Sequence, residues 1–492
     1  ARLALFLALG LLLVGTLLAY NERRLGRRAL AAALQEGGGP WSLAEAVPPA
    51  VPDDDNAWRL LATLTNQLTS PPAPRAPSLG AGYVAPGLMR SWKEPLDWTN
   101  EAGARAGWPG LRAELEQHGP DWAVFRAALK RPDYHFPFAY TNGFYDLPQD
   151  ISPLAQAARW LLAAGALAVH EGRTEDAVAY AEDLLRLVGH QRRQTLLLGQ
   201  IVRSATMTHA FTLTAHLVFE GAADEPQLRR LQEAWARLEI LPVLRPTLHL
   251  ERVLTEQHSR IRRQDRARQR EELEWSEEAR ELYGDSAPSH RQLWIKRHLH
   301  VPLWRVLWTD HDAARALRRW NRLMEAAAMA VNESWTAAAD TLIACDVAGG
   351  RVDLDEFAGA RRPGWLDKLR CPFALSGESL APDASYVEGF FRMEALRNLA
   401  VTALAAARFR GVHAAWPESL DALAPDFLPQ VPRDPMDGHS LRLRLAGGEP
   451  AIYSVGPDGK DDGGKLDEDA GEMMNPWFAG PDWVFPRMEP AE

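Results

Sequence analysis

The residues of this chain that could do chemistry gather in one acidic loop. Between Gly456 and Glu472 stand Asp458, Asp461, Asp462, Asp467, Glu468, Asp469 and Glu472, opposed only by Lys460 and Lys465. This surplus of five negative charges is self-repelling, so open solvent or a bound cation must screen it. A hard cation such as calcium takes about six to eight oxygens from carboxylates and carbonyls on a flexible loop. Gly456, Gly459, Gly463 and Gly464 give the backbone freedom for such oxygens to converge. The match to an EF-hand loop is partial. Asp458, Asp462 and Gly463 fit its first, fifth and sixth positions, but Lys460 holds the third and Asp469 the twelfth. No helix–loop–helix pattern flanks the stretch. Two readings stay open: a calcium loop of another kind, and a solvated acidic turn that holds strand ends.

Elsewhere the chemistry is thinner. HLERVLTEQH puts His249 with Glu256, and Glu251 with His258, on shared helix faces. Lacking the His-Glu-x-x-His spacing of a zinc protease, it reads as a surface helix. His298, His300, Asp310, His311 and Asp312 lie close in sequence without a ligand spacing. Asp353 and Asp355 are two carboxylates with no further part of a glycosidase site. No P-loop, dinucleotide fingerprint, kinase set or Gly-x-Ser-x-Gly elbow occurs. Cys345 and Cys371, the only cysteines, either pair or remain two buried thiols. Pairing would close a loop of about 25 residues and add roughly 3 kcal/mol.

The elements that must position these residues follow from the bulk pattern. At 492 residues, two or three domains are expected. A composition 46% hydrophobic and 24% charged excludes a largely disordered chain. Net charge −10 excludes a general nucleic-acid binder, so no nucleic-acid partner is expected. Leu3 to Tyr20 is an uncharged run whose 18 residues reach roughly 27 Å as a helix, near the hydrocarbon thickness. Residues 1–20 are therefore read as an uncleaved transmembrane signal-anchor helix, with the lipid bilayer met through residues 3–20. Arg23, Arg24, Arg27 and Arg28 follow the run and favour a cytoplasmic body, whereas a calcium loop favours the outside.

A juxtamembrane helix with a Pro/Gly-rich segment is expected over 21–100, broken at Gly37–Pro40. A helical body follows over 101–345. Within it, residues 151–190 read as a tetratricopeptide-like hairpin, with small residues at the crossing, Gly172 past the first helix and Thr174 capping the second. No clean repeat continues it, so an irregular α-solenoid or helical bundle is expected. A charged helical arm over 245–283 and a loop-rich connector over 346–381 come next. A C-terminal α+β unit over 382–492 then combines a long apolar helix, two strand-like runs (440–445 and 451–455) and a third at 482–485.

In that unit the order of helix, WPESLDAL, DPMDG turn, hairpin, YSVGPDGKDDGG and Asp-preceded strand resembles the globular domain of the major pseudopilin of type II secretion systems. Asp434–Pro435, Gly438, Tyr453–Ser454, Gly456 and Asp458–Gly459 carry the resemblance, over about 395–486; Gly463–Gly464 come one residue late. The resemblance implies calcium in the loop. Asp458 is the first ligand it points to, followed by Asp461, Asp462 and a later acid (Asp467, Asp469 or Asp482), with Val455 offering a backbone carbonyl. Residues 1–21 contain no acid, unlike the N-terminal helix of a pseudopilin. The whole arrangement resembles uncharacterised bacterial membrane-anchored proteins. The expectation is a mainly α, non-enzymatic scaffold in the bacterial inner membrane, single-pass, with a periplasmic body that binds protein partners of an envelope or secretion-like complex. The alternative is an extracytoplasmic hydrolase with its site in the helical body.

Overall fold

The computed structural model describes residues 2–39, 41–58, 111–113, 115–116, 119–135, 138, 140–146, 152–265, 290–347, 370, 384–446, 449–464 and 481–485. Most of the expected Pro/Gly-rich segment, the charged arm beyond 265 and nearly all of the connector lie outside them. So do Asp353, Asp355, Cys371, Asp467, Asp469 and the side chain of Cys345.

The fold is mainly helical with a small antiparallel sheet. Its principal helices are α1 (Arg2–Glu36), α2 (Gly119–Leu129), α3 (Ser152–His170), α4 (Thr174–His190), α5 (Leu197–Phe219), α6 (Glu225–Ala236), α7 (Leu241–Gln264), α8 (Thr309–Asn332), α9 (Trp335–Val347) and α10 (Ala384–His413). The strands are β1 (Arg442–Ala446), β2 (Glu449–Ser454) and β3 (Trp483–Val484), in that order across the sheet.

Helix α1 runs unbroken for 35 residues. Gly37, Gly38 and Gly39 end it, the last two at φ +87° and +119°. Among the described residues, no helix is long and apolar enough to cross a membrane. The expected span over residues 1–20 is thus not a separate element; it continues directly into the basic stretch. Its described side chains have no place in the core: Phe6 is 71% exposed and Leu11 74%. The second half of α1 packs on α8 through Ala29, Leu30, Ala33 and Leu34 against Ala314 and Leu317.

The α3–α4 hairpin forms as expected. Gly172 turns at φ +71°, and Gly165 sits so close to α5 that a Cβ there would lie 2.3 Å from Leu213. Thr174 is not the cap, however. It is the first helical residue, and the turn is tied by Arg173, which bridges Glu171 and Asp176. Helix α6 is closed by a capping box between Asp224 and Gln227.

One continuous apolar core runs from Ala57 to Phe485 and crosses the expected boundary at 382. Helix α10 is buried on nearly every side, which explains its weak amphipathic pattern. Its Arg408 pairs with Glu225 and Gln232 of α6, and Gln232 donates to the Phe427 carbonyl. Phe485, following β3, meets Phe211 of α5 edge-on at 5.1 Å. The hairpin register pairs Leu443 with Ile452. Leu441 is buried and Leu443 packs on the core, but Leu445 at the tip is 46% exposed, so the apolar face covers only two of its three expected leucines.

Candidate functional site

The C-terminal loop is positioned by three pieces: the turn at Asp434–Gly438, the end of β2, and the start of α9. Asp434 is completely buried and organises them. It accepts hydrogen bonds from Met436 N (3.0 Å), Val455 N (2.9 Å), Ser454 Oγ (2.8 Å) and Arg442 Nη1 (2.9 Å). Burial nevertheless pushes its carboxyl above the usual range. Arg442 also pairs with Asp437, whose carboxyl stays below the usual range, the hydrogen bonds from Arg442 and His439 outweighing burial.

Helix α9 begins inside this unit. Trp335 N and Thr336 N donate to the carbonyls of Pro435 (3.0 Å) and Met436 (2.9 Å), and Trp335 Nε1 donates to Pro457 O (3.0 Å). These bonds use amide groups that a helix N-terminus otherwise leaves without partners. Gly459 lies against Thr336, where a Cβ would stand 2.3 Å from the Thr336 methyl. Nothing in the sequence of either segment advertises this clamp, because its partners lie about a hundred residues apart.

The expected ligands fall as follows. Val455 is buried, its amide bound to Asp434. Asp458 is exposed and caps its own turn, accepting from Lys460 N (3.1 Å). Asp461 accepts from Tyr453 Oη (3.0 Å) and Gly463 N (3.0 Å). Burial pushes the Tyr453 hydroxyl up to about 12, and the negative charge of Asp461 adds to this. Asp482 is fully buried and latches the far end of the loop, accepting from Gly464 N (2.6 Å) and Asp462 N (3.5 Å). Its carboxyl is pushed above the usual range by burial, then by the charges of Asp461 and Asp462. Asp461 and Asp462 thus both bear on Asp482, while Asp458 faces its own turn. Oxygen type and charge suit calcium. Among the described residues, however, no group of three or more His, Cys, Asp or Glu side chains is arranged to hold a metal ion.

The reading of HLERVLTEQH as a surface helix is corrected. On α7, Glu251, Arg252, Glu256 and His258 are all buried. Gly143, in the 140–146 turn, packs on the backbone of His258, and α1 and α8 cover the side of Arg252. Arg252 Nε donates to Asn321 Oδ1 (2.7 Å), and Asn321 Nδ2 donates to the Ala33 carbonyl of α1 (2.7 Å). Glu251 accepts from Leu197 N at the start of α5 (2.7 Å), and burial pushes its carboxyl up to about 7. Leu196, at the cap position, has no side-chain oxygen, so Glu251 caps α5 from another helix. The cluster at His298–Asp312 does not converge: His298 is exposed, Asp310 pairs with Arg263, and His311 approaches the Glu22 carbonyl.

No family model, no curated protein and no solved structure matches this chain.

Proposed function

We propose that this chain is a membrane-attached, non-enzymatic scaffold of the bacterial inner membrane. It would meet the bilayer through residues 3–20 and protein partners through its helical body, with a pseudopilin-like C-terminal unit. The observation that carries this reading is the first half of α1, where Phe6 and the apolar side chains of Leu9, Leu11 to Val14, Leu17, Leu18 and Tyr20 stand outside the core on all sides of the helix. Apolar surface of that extent is unfavourable in water and favourable in lipid. The test is flotation of the full chain with lipid vesicles. The chain rises with the vesicles, resists carbonate, and loses both behaviours when Leu11, Leu12, Leu17 and Leu18 become Ser. A chain that stays at the bottom of the gradient and is soluble without detergent overturns the reading.

Calcium belongs to the same proposal. The negative charge that Asp461 and Asp462 place beside the buried Asp482 is what an ion would relieve. Bound calcium also agrees with a periplasmic body, since the ion is scarce inside cells. Thermal unfolding of the full chain rises with calcium over chelator, by roughly 2.7 kcal/mol at about 100-fold saturation. Coincident melts, unchanged in Asp461→Asn/Asp482→Asn, remove the ion from the account. The hydrolase alternative has one supporting observation, the carboxyl of Glu251 held at about 7, in the range of a general acid. Its one hydrogen bond, however, is the helix-capping one described above.

A further inference from the structure

Ahead of α8 the chain is helical from residue 290 onwards. α-Helical turns at His290–Ile295 and Val301–Leu303 alternate with π-helical turns at Lys296–His300 and Trp304–Trp308. Val301 and Trp304 are buried, whereas Trp294, Ile295, Leu299, Leu303 and Val306 are 40–57% exposed. Spacings of four, four and three put Ile295, Leu299, Leu303 and Val306 on one face. Residues 290–309 carry Arg291, Lys296, Arg297 and Arg305 and no acid at all. The 304–308 turn of this run packs on α1, where Trp308 Nε1 donates to Glu22 (3.2 Å), whose carboxylate also pairs with Arg370. Immediately beyond Glu22 on α1 begin the exposed Tyr20, Leu18 and Leu17, and immediately before its packed half come the exposed Arg23, Arg24, Arg27 and Arg28.

We infer that the 290–308 helix is an interfacial helix, seated on an anionic lipid surface by the Ile295–Leu299–Leu303–Val306 stripe. The inference rests on the bilayer reading of α1 and adds a second point of attachment. An apolar stripe with Trp, flanked by cations, is the pattern of helices that lie in the headgroup region. Two observations select lipid as the occupant. The helix meets α1 at Glu22, directly beside the apolar half of α1 that begins at Tyr20. Its charge is also of one sign, so a second copy would set cations against cations, whereas an anionic headgroup layer complements them. Two contacts instead of one would fix the angle at which the body stands on the membrane.

The experiment uses the full chain with Cys345→Ser and Cys371→Ser. An environment-sensitive fluorophore is attached at Leu299→Cys or, separately, at Leu12→Cys, and the protein is reconstituted in vesicles carrying lipids brominated near the headgroup. With phosphatidylglycerol present, both labels are quenched. Arg291→Gln shifts the docking equilibrium read at 299 about fivefold toward the undocked form at low salt. Leu303→Cys, on the same face, gives the same readout if Leu299→Cys does not fold. Quenching at 12 with none at 299 overturns the inference and leaves the α1 reading standing. Quenching at neither position overturns both. Equal quenching at 299 in purely zwitterionic vesicles, or label-to-label contact between chains at 299 in detergent, overturns lipid-charge recognition or assigns the stripe to a second copy.

Discussion

Glu251 shows what a single buried carboxyl does to the whole chain. Its ordinary value is 4.5 and its folded value about 7, so the folded state holds the proton more tightly than the unfolded one. Stability therefore falls as pH rises from about 4.5 through 7, and above 7 the buried charge costs on the order of 3 kcal/mol. Glu251→Gln keeps an oxygen for Leu197 N and removes the charge. Chemical denaturation should show the variant close to wild type at pH 4.5 and more stable at pH 8. Parallel stability curves for the two proteins would contradict this assignment. The acid itself is visible in the sequence, but its burial is not. HLERVLTEQH has the charge density of a solvated face, and what covers it comes from Leu197, Asn321 and Gly143, which lie 54, 69 and 115 residues from the residues they cover. Asp434 was legible only as part of a turn motif; its place at the centre of four hydrogen bonds depends on β2 folding back beside it.

Elements made by local rules were the legible ones. The α3–α4 hairpin, the glycine stop after α1 and the β1–β2 hairpin follow from periodicity and turn residues within a few positions. The clamp between α9 and the loop did not, because helix start and loop each look complete in isolation. Two glycines of the loop separate local from long-range constraint. Gly456 turns at φ +65°, and a Cβ there would stand 1.9 Å from the Pro481 carbonyl oxygen, whereas at Gly463 (φ +79°) the nearest neighbour is a flexible Arg444 tip at 3.9 Å. Gly463→Ala should cost about 1–2 kcal/mol, the left-handed penalty alone. Gly456→Ala should cost clearly more, since backbone must move to admit it. Denaturant midpoints of the two full-length variants check the order; equal losses would mean that β3 yields freely.

At the scale of the molecule, the unit expected over 382–492 shares its core with the body. Phe485 rests on α5, Arg408 and Gln232 join α10 to α6, and α9 is held in the loop. A fragment of residues 382–492 lacks all of these partners and should fail to fold on its own. Its far- and near-ultraviolet circular dichroism would report this, and a cooperative melt of the fragment would restore the unit as a domain. The pseudopilin resemblance, over about 395–486, covers residues in direct contact with α9 and α5, which lie outside it. The clamp on Trp335 also sets a schedule for biosynthesis. Its acceptors, the carbonyls of Pro435, Met436 and Pro457, are synthesised 100 to 122 residues later, roughly 5 to 24 seconds at ordinary translation rates. During that interval the start of α9 lacks those acceptors, and Phe211 waits longer still for Phe485. A ribosome that stops short of β3 therefore releases a product with Phe211 of α5 open to chaperones and proteases, so closing the core around α5 waits on a strand made more than 250 residues later.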